Sequence, residues 1–129
     1  MAARTRNQSN IKHGTIELVL LLLLQGGKKY GYQLSQELAD YSDGDYELKE
    51  PTMYPTLYRL EQNGFLKSEQ VLVGVRRTRV YYTITETGQQ YLSAVRQEYD
   101  KITGAIKKII DHTEAATTED DSFYKEVSS

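Results

Sequence analysis

Three arginines lie close together in the second half of the sequence, at Arg76, Arg77 and Arg79. Guanidinium groups donate hydrogen bonds to phosphate oxygens and are attracted to a narrow minor groove of DNA. The surrounding segment, residues 65–85, contains four Lys and Arg residues and one acidic residue, a local charge of +3. We therefore predict that these arginines bind a nucleic-acid backbone. A solvated hairpin tip is the alternative, and Arg79 has the further option of pairing across the hairpin.

A second set of side chains suited to DNA lies in the segment 52–63. If this segment is helical, its apolar residues form one stripe and the opposite face presents Pro55, Tyr58, Arg59 and Gln62. Apart from the proline, these side chains are long and polar-tipped, so they can reach base edges or phosphates in a major groove. The pattern predicts the reading helix of a DNA-binding domain.

Further candidates for DNA contact flank these two sets. Thr52 is predicted as the N-cap of the helix, a position from which a hydroxyl can also touch a phosphate. Tyr54 is equally suited to contact and to packing, and the lysines before the second predicted helix are either phosphate anchors or solvated side chains. The complete set of predicted DNA-binding residues is Lys28, Lys29, Tyr30, Lys49, Thr52, Tyr54, Pro55, Tyr58, Arg59, Arg76, Arg77 and Arg79.

The composition argues against catalytic and metal chemistry. The chain of 129 residues has no cysteine, and its two histidines, His13 and His112, lie 99 positions apart. A thiolate nucleophile and a thiolate zinc site are therefore excluded, and the histidines form no paired ligand set. The sequence also has no glycine loop that would cradle a phosphate and no recognisable Ser-His-Asp set. We expect a protein that is not an enzyme and that uses no metal and no cofactor.

The sequence gives no signal for a membrane or for export. Its longest uncharged apolar run, Leu18–Leu24, has seven residues, whereas a membrane span needs about 20. The absence of disulfides fits a reducing cytoplasm, so we expect a cytoplasmic protein without membrane contact. The net charge of −2 divides into +3 for residues 1–110 and −5 for residues 111–129. A nucleic-acid partner is therefore compatible with the acidic average.

The elements that must position these residues follow one another as three helices, a β-hairpin and a long helix. Periodicity predicts helices over 14–25, 31–41, 52–63 and 86–110, and strands over 65–72 and 79–85. This is the order of a winged helix-turn-helix followed by a long C-terminal dimerisation helix, in the mainly α class with a small β-hairpin.

The predicted organisation has four parts. A flexible basic arm covers 1–10, and the winged helix-turn-helix DNA-binding domain covers 11–85. A dimerisation helix covers 86–110, and a disordered acidic tail covers 111–129.

The long C-terminal helix carries an apolar seam. Its apolar residues recur at spacings of three and four, the heptad pattern of a helix that packs on another helix. The apolar first helix also needs more cover than a chain this short supplies, so we predict a homodimer. The predicted dimer residues are Leu20, Leu23, Leu92, Val95, Tyr99, Ile102, Ile106 and Ile109. Tyr99 has a second interpretation, as the platform of an effector pocket for a small aromatic molecule.

Three segments of the chain occur together in a specific order. They are Tyr30-Gly31-Tyr32, then residues 47–61 (ELKEPTMYPTLYRLE) with Gly64, then Arg76-Arg77 followed by residues 81–85 (YYTIT) and Gly88. Together they resemble the PadR family of bacterial transcriptional regulators, in its compact branch with a single C-terminal helix. The resemblance implies a dimeric winged-helix repressor whose C-terminal helix crosses to the partner subunit. It also implies that a small molecule or a stress signal releases the repressor from DNA.

The chain departs from the family pattern at three places. Pro51 stands where the family commonly has glycine, and Gly74-Val75 stands where paired glycines often begin the wing. Tyr99 lies at about the position of the tryptophan with which some members bind flat aromatic drugs, and this chain has no tryptophan. These departures leave the DNA-binding implication intact and weaken the drug-binding one.

The sequence therefore predicts a sequence-specific DNA-binding transcriptional regulator. We expect a dimeric repressor of a nearby gene that binds a palindromic operator in double-stranded DNA and is released by a small molecule or a stress signal. The alternative is a winged-helix module that contacts only other proteins and does not bind DNA. The exposed face of the third helix separates the two, because an interaction module more often presents an apolar patch there.

Overall fold

The computed structural model describes the backbone of residues 10–128 and the side chains of residues 10–116. Apart from Asn10, the predicted basic arm over 1–10 lies outside the described residues. After a helical turn at residues 10–13, the elements are α1 (Ile16–Leu24), β1 (Lys29–Tyr30), α2 (Gly31–Tyr41), α3 (Glu50–Gln62), β2 (Leu66–Leu72), β3 (Thr78–Ile84) and α4 (Glu86–Ser128). The predicted winged-helix order is confirmed.

Helix α1 is the central element of the core. It is shorter than the predicted 14–25, because a turn at residues 14 and 15 separates it from the preceding helical turn. Leu20, Leu21 and Leu24 are fully buried, whereas Leu23 is half-buried. Within residues 10–128, no helix combines the length and the apolar character that a membrane span requires. The leucine-rich run is therefore explained by the core of the domain.

Helix α3 begins two residues earlier than predicted, and this corrects the role of Thr52. Lys49 is the N-cap with extended backbone, and the Thr52 N–H donates to the Lys49 carbonyl at 3.0 Å. The reason is Pro51, whose fixed φ and missing N–H suit the first turn of a helix. Pro55 consequently lies inside the helix. It is exposed together with Pro51, so water can hydrate the Pro51 carbonyl that Pro55 leaves without a partner.

The predicted β-hairpin is confirmed and is joined by a third strand. Strands β2 and β3 pair antiparallel from Leu66↔Ile84 to Leu72↔Thr78. Strand β1 pairs with the other edge of β3, which gives the order β1-β3-β2. Sequence reasoning missed β1 because a strand of two residues has no periodicity to detect. We call the hairpin of β2 and β3 the wing.

Helix α4 is much longer than predicted. It runs from Glu86 to Ser128, so the predicted end at 110 was too early, and the segment expected to be a disordered tail (111–129) is helical up to Ser128. The sequence explains this, since residues 105–128 contain neither glycine nor proline and nothing in them terminates a helix. The residues up to Ala94 form one compact unit and those from Val95 onward form a second.

The core of the first unit joins all three short helices, the sheet and the start of α4. The first helix packs on α2, α3 and β3, and α3 also packs on β2. Thr85, just before α4, closes this arrangement, because its hydroxyl donates to the Gly64 carbonyl at 2.7 Å and accepts from the Gly88 N–H at 2.9 Å. The largest fully buried side chains are Leu20, Leu21, Leu24, Leu34, Met53, Leu57, Leu60 and Leu92.

Candidate nucleic-acid interface

Helix α3 has one buried face and one exposed face, as the sequence predicts. The buried side chains are Met53, Thr56, Leu57 and Leu60. The exposed face follows helical spacing along the whole length of α3, and Tyr58 at its centre is 64% exposed. This face consists of Pro51, Tyr54, Pro55, Tyr58, Arg59 and Gln62. The structure thus leaves the predicted reading residues free of the core.

Arg59 is partly engaged within the chain. Its Nη2 lies 3.5 Å from Oε2 of Glu17 in α1, and its side chain is half exposed. The other oxygen of Glu17 accepts from the Tyr91 hydroxyl at 3.0 Å. An exposed ion pair of this kind is worth at most about 1 kcal/mol, so a phosphate can compete for the guanidinium.

Tyr54 combines the two roles that the sequence left open. Its hydroxyl donates to Oε2 of Glu50 at 2.7 Å, and this hydrogen bond, with burial and the Glu50 charge, raises the pKa of Tyr54 to about 12. The ring packs against Gly31 at the start of α2, where an added Cβ would lie 2.7 Å from the hydroxyl. Tyr54 therefore fixes α3 against α2 and still exposes part of its ring on the reading face.

The arginines of the wing divide into two classes. Arg76 and Arg77 are exposed beside Val75, which is 93% exposed at the tip. Gly74 makes the tight turn there with a φ of 83°, a value that favours glycine. Arg79, two positions further, is only partly exposed, and its Cζ lies 4.2 Å from the centroid of the Tyr30 ring.

One open groove joins α3 to the wing. Its volume is about 770 Å³, and it is lined by Tyr30 of β1, the start of α2, the first turns of α3 and the wing. Burial, together with the nearby Glu61 charge, raises the pKa of Tyr82 in this groove. The lining residues are Tyr30, Gly31, Tyr32, Glu50, Tyr54, Arg77, Thr78, Arg79, Val80 and Tyr82.

The two lysines predicted as anchors before α2 each pair with a carboxylate of the chain. Lys29 is paired with Glu37, with Nζ 2.9 Å from Oε1 and 3.1 Å from Oε2, and its side chain is only 12% exposed. Lys28 is more exposed and lies 3.2 Å from Glu69. An ion pair as buried as that of Lys29 is costly to break. Lys29 is thus a structural cation in this conformation rather than a phosphate anchor.

A second groove adjoins the start of α3. Lys49 and Thr52 are exposed in it, together with His13 and the half-buried Lys12 from the N-terminal turn, which sequence reasoning did not select. The turn is held in place because Tyr46 donates to the Lys12 carbonyl at 3.2 Å and shares a 2.8 Å hydrogen bond with Thr15. The only sequence signal for Lys12 was its charge. Among the residues with described side chains, no cluster of His, Asp or Glu is arranged to hold a metal ion.

The predicted dimer residues differ in burial. Leu20 and Leu92 are 0% and 2% exposed within the single chain, so they belong to its core, and the expectation that the first helix needs a second subunit to cover Leu20 is wrong. Leu23 and Val95 are half-buried. The rest of the predicted seam is exposed in the single chain, with Ile102 at 51%. These exposed seam residues are Tyr99, Ile102, Ile106 and Ile109, and Ile110 is exposed beside them.

Comparison with known proteins places this geometry in a family. The model of the transcriptional regulator PadR-like family matches residues 19–94. The transcriptional regulator Rv3488 of Mycobacterium tuberculosis is 31% identical over 102 residues, which cover 79% of this chain and 92% of that protein. A transcriptional regulator from Clostridium thermocellum has a similar structure, with a TM-score of 0.70 and 34% identity over 78% of this chain and 94% of that one.

The same fold has been seen on DNA. The structure of Bacillus subtilis PadR in complex with operator DNA aligns with a TM-score of 0.58 and 25% identity, over 62% of this chain and 45% of that one. The matched residues 19–94 span most of α1, all of α2, α3 and the sheet, and the start of α4. The chain belongs to the PadR-like family of transcriptional regulators.

Proposed function

We propose that this transcriptional regulator is a homodimeric repressor that binds a palindromic operator near the gene it controls. The observation that carries the proposal is the groove in which Arg77 of the wing and Tyr54 of α3 face the same space. A helix in the major groove and a basic wing on the neighbouring backbone need this arrangement. The operator complex of Bacillus subtilis PadR supports it, because that protein has the same fold.

The chemistry of the reading face agrees with DNA. Tyr58 and Gln62 offer hydroxyl and amide groups to base edges, while Arg59 can exchange Glu17 for a phosphate or a guanine. Arg76 and Arg77 supply the positive charge at the exposed tip of the wing. The described residues of α3 expose no leucine, isoleucine, valine or methionine, and their exposed tyrosines carry polar hydroxyl groups beside Arg59 and Gln62. This mixed face favours DNA over the alternative of a module that contacts only proteins.

The exposed apolar side of α4 supports the homodimer. Tyr99, Ile102, Ile106 and Ile109 follow a heptad pattern and are 43–62% exposed in the single chain, which is unfavourable in water. A second copy of this helix would bury them. A two-fold dimer that binds DNA also holds its reading helices about 34–36 Å apart, one turn of DNA.

Release from DNA would act through the same apolar seam of α4. A small aromatic molecule that inserts beside Tyr99 would separate the helices of the seam and change the spacing of the two reading helices. Tyr99 supports this because its ring is exposed in the single chain and has aliphatic neighbours on the same helix. A stress signal that alters the same seam would have the same effect.

The test is a gel shift with the DNA upstream of the protein's own gene, at several salt concentrations. Changing Arg76 and Arg77 to alanine is expected to weaken binding to all sequences. It should also lower the log–log salt slope by about 0.9 for each lost phosphate contact. The matched control changes Lys107 and Lys108 to alanine, which removes the same charge from exposed positions of α4 outside the groove.

Two outcomes would contradict the proposal. One is a wild-type protein that binds this fragment no more tightly than unrelated DNA at the same salt concentration. The other is a wing variant with the same affinity and salt slope as the control. A promoter–reporter assay tests repression separately, since the reporter should fall when the wild-type protein is present and recover with the wing variant.

A further inference from the structure

A ladder of two cations and two aromatic rings crosses one face of the sheet. The guanidinium of Arg79 lies over the Tyr30 ring at 4.2 Å, and the Tyr30 and Tyr81 rings meet edge-on, 5.4 Å apart at 68°. Lys28 Nζ lies 5.4 Å from the Tyr81 ring and 3.2 Å from Oε1 of Glu69. The ladder thus connects β1 with both strands of the wing.

The pairing of the strands explains why these side chains meet. Tyr30 is the partner of Tyr81 in the β1–β3 pair, and Glu69 is the partner of Tyr81 in the β2–β3 pair. Arg79 is two residues before Tyr81 on the same strand, so both side chains point to the same face. Cross-strand neighbours on one face are the contacts that stabilise a sheet.

The wing needs this support because little else fixes its outer half. Beyond Arg79 and Val71, the residues towards the tip are mostly exposed, and Leu72 is 66% exposed. Strand β1 has only two residues, so its backbone contributes few hydrogen bonds to β3. An isolated two-stranded hairpin is marginally stable in water. The side-chain ladder therefore adds contacts between the wing and β1 where the backbone supplies few.

We propose that Arg79 and Tyr30 are positioning residues that hold the wing, and that Arg76 and Arg77 alone make its phosphate contacts. This inference rests on the proposed DNA-binding function, and it assigns different roles to the residues of the wing. Arg79 holds its guanidinium over the Tyr30 ring and is partly buried, whereas Arg76 and Arg77 are exposed. Tyr30 lines the groove without reading DNA, and it fixes the wing beside α3.

Three matched variants distinguish a phosphate contact from a positioning residue. Arg76→Gln, Arg77→Gln and Arg79→Gln each remove one charge from the wing. We expect the first two to lower the log–log salt slope of operator binding by about 0.9 each. Arg79→Gln should leave the slope at its wild-type value, since the bound wing still neutralises the same phosphates. Its affinity should nevertheless fall by about threefold to tenfold, the value of a cation–π contact.

The Tyr30 variants test the partner of Arg79 without changing any charge. Tyr30→Leu should reproduce the affinity loss of Arg79→Gln, Tyr30→Phe should retain wild-type affinity, and the double variant Tyr30→Leu/Arg79→Gln should be no weaker than either single variant. A readout without DNA comes from NMR. The side-chain protons of Arg79 should be shifted upfield by the Tyr30 ring in the wild-type protein and in Tyr30→Phe, and not in Tyr30→Leu.

The results distinguish failure of the inference from failure of the proposed function. If wild-type protein does not bind its operator, the function fails, and the NMR shift still tests the Arg79–Tyr30 contact. If wild-type protein binds but Arg79→Gln lowers the salt slope as much as Arg77→Gln, Arg79 is a phosphate contact and the inference is overturned. Normal binding by Tyr30→Leu would overturn it as well.

Discussion

Gly88, the third residue of α4, occupies a site where a single methyl group should not fit. A Cβ added there would lie 2.9 Å from Cγ1 of Ile84 and 3.0 Å from the carbonyl carbon of Phe65, and the Phe65 carbonyl oxygen would be nearer still. Carbon atoms make favourable contact at about 3.5–4.0 Å. The Phe65 carbonyl accepts from the Thr85 N–H at 3.0 Å, so the backbone cannot move away without losing that hydrogen bond.

The magnitude follows from these distances. Relieving the contact requires a movement of about 0.5 Å or more at a hydrogen-bonded backbone segment, and overpacking of this kind costs about 1–3 kcal/mol. Loss of the Thr85 hydrogen bond would add about 1 kcal/mol. The higher helix propensity of alanine offsets at most about 1 kcal/mol. We therefore expect Gly88→Ala to lower the free energy of unfolding by about 2 kcal/mol.

The same helix supplies the control. Gly104 has no heavy atom within 4 Å of a built Cβ, so Gly104→Ala adds helix propensity without a contact and should stabilise by about 0.5–1 kcal/mol. Urea unfolding at one fixed protein concentration measures both variants, because the stability of a dimer depends on concentration. Equal midpoints for Gly88→Ala and wild type, or a loss in Gly104→Ala as large as in Gly88→Ala, would refute the reasoning.

Two further predictions concern the seam and the reading helix. Ile102→Asp places a charge in the proposed dimer seam, so sedimentation should show monomers and the gel shift should be lost. If Ile102→Asp remains a dimer, or if its monomer binds the operator tightly, α4 is not the dimer element on which DNA binding depends. Because the folded-state pKa of Tyr54 is raised to about 12, its neutral form stabilises the fold fully below the unfolded pKa of about 10. This contribution is lost as the pH rises from about 10 through 12. In Tyr54→Phe, the free energy of unfolding should fall less steeply over this pH range. The tyrosinate absorbance change that occurs at the highest pH in the wild-type protein should also be missing. A variant with the wild-type pH profile would contradict this prediction.

The sequence was most informative for elements in which apolar residues recur at one regular spacing along the whole length. Leu34 and Leu38 mark the buried side of α2, and its predicted bounds of 31–41 agree with the structure. The wing was equally clear, because β-branched and aromatic residues flank a loop with Gly74. In both elements the local pattern and the tertiary contacts favour the same backbone, so periodicity was sufficient.

The errors occurred where local rules competed. Placing the N-cap at Thr52 removed the conflict of Pro55 inside a helix, but it ignored that Pro51 is itself well suited to the first turn. In the structure, Pro51 lies in the first turn of α3 and Pro55 lies inside the helix on its solvated face. The helix end near 110 was inferred from acidic composition, although composition does not terminate a helix when glycine and proline are absent.

The sequence predicted which side chains of the candidate site are exposed, but it did not predict which of them form ion pairs within the chain. The exposure of Tyr58 and Arg76 follows from helix and hairpin patterns. The burial of Lys29 does not, because its partner Glu37 lies eight positions away and meets it only through the packing of β1 beside α2. No periodic rule connects residues at that separation. Charge alone therefore overestimated the number of cations available to DNA.

One carboxylate connects the reading helix with the start of the helix proposed to make the dimer. Glu17 pairs with Arg59 through one oxygen and accepts from Tyr91 through the other. The Tyr91 ring is stacked on Phe65, with centroids 4.0 Å apart and planes at 7°, so a displacement of the first turns of α4 must move this hydroxyl or break the stack. Either change alters the charge environment of Arg59 on the reading face. Under the proposed function, a rearrangement of the dimer seam would therefore reach the DNA-reading helix through a side chain as well as through the spacing of the two subunits.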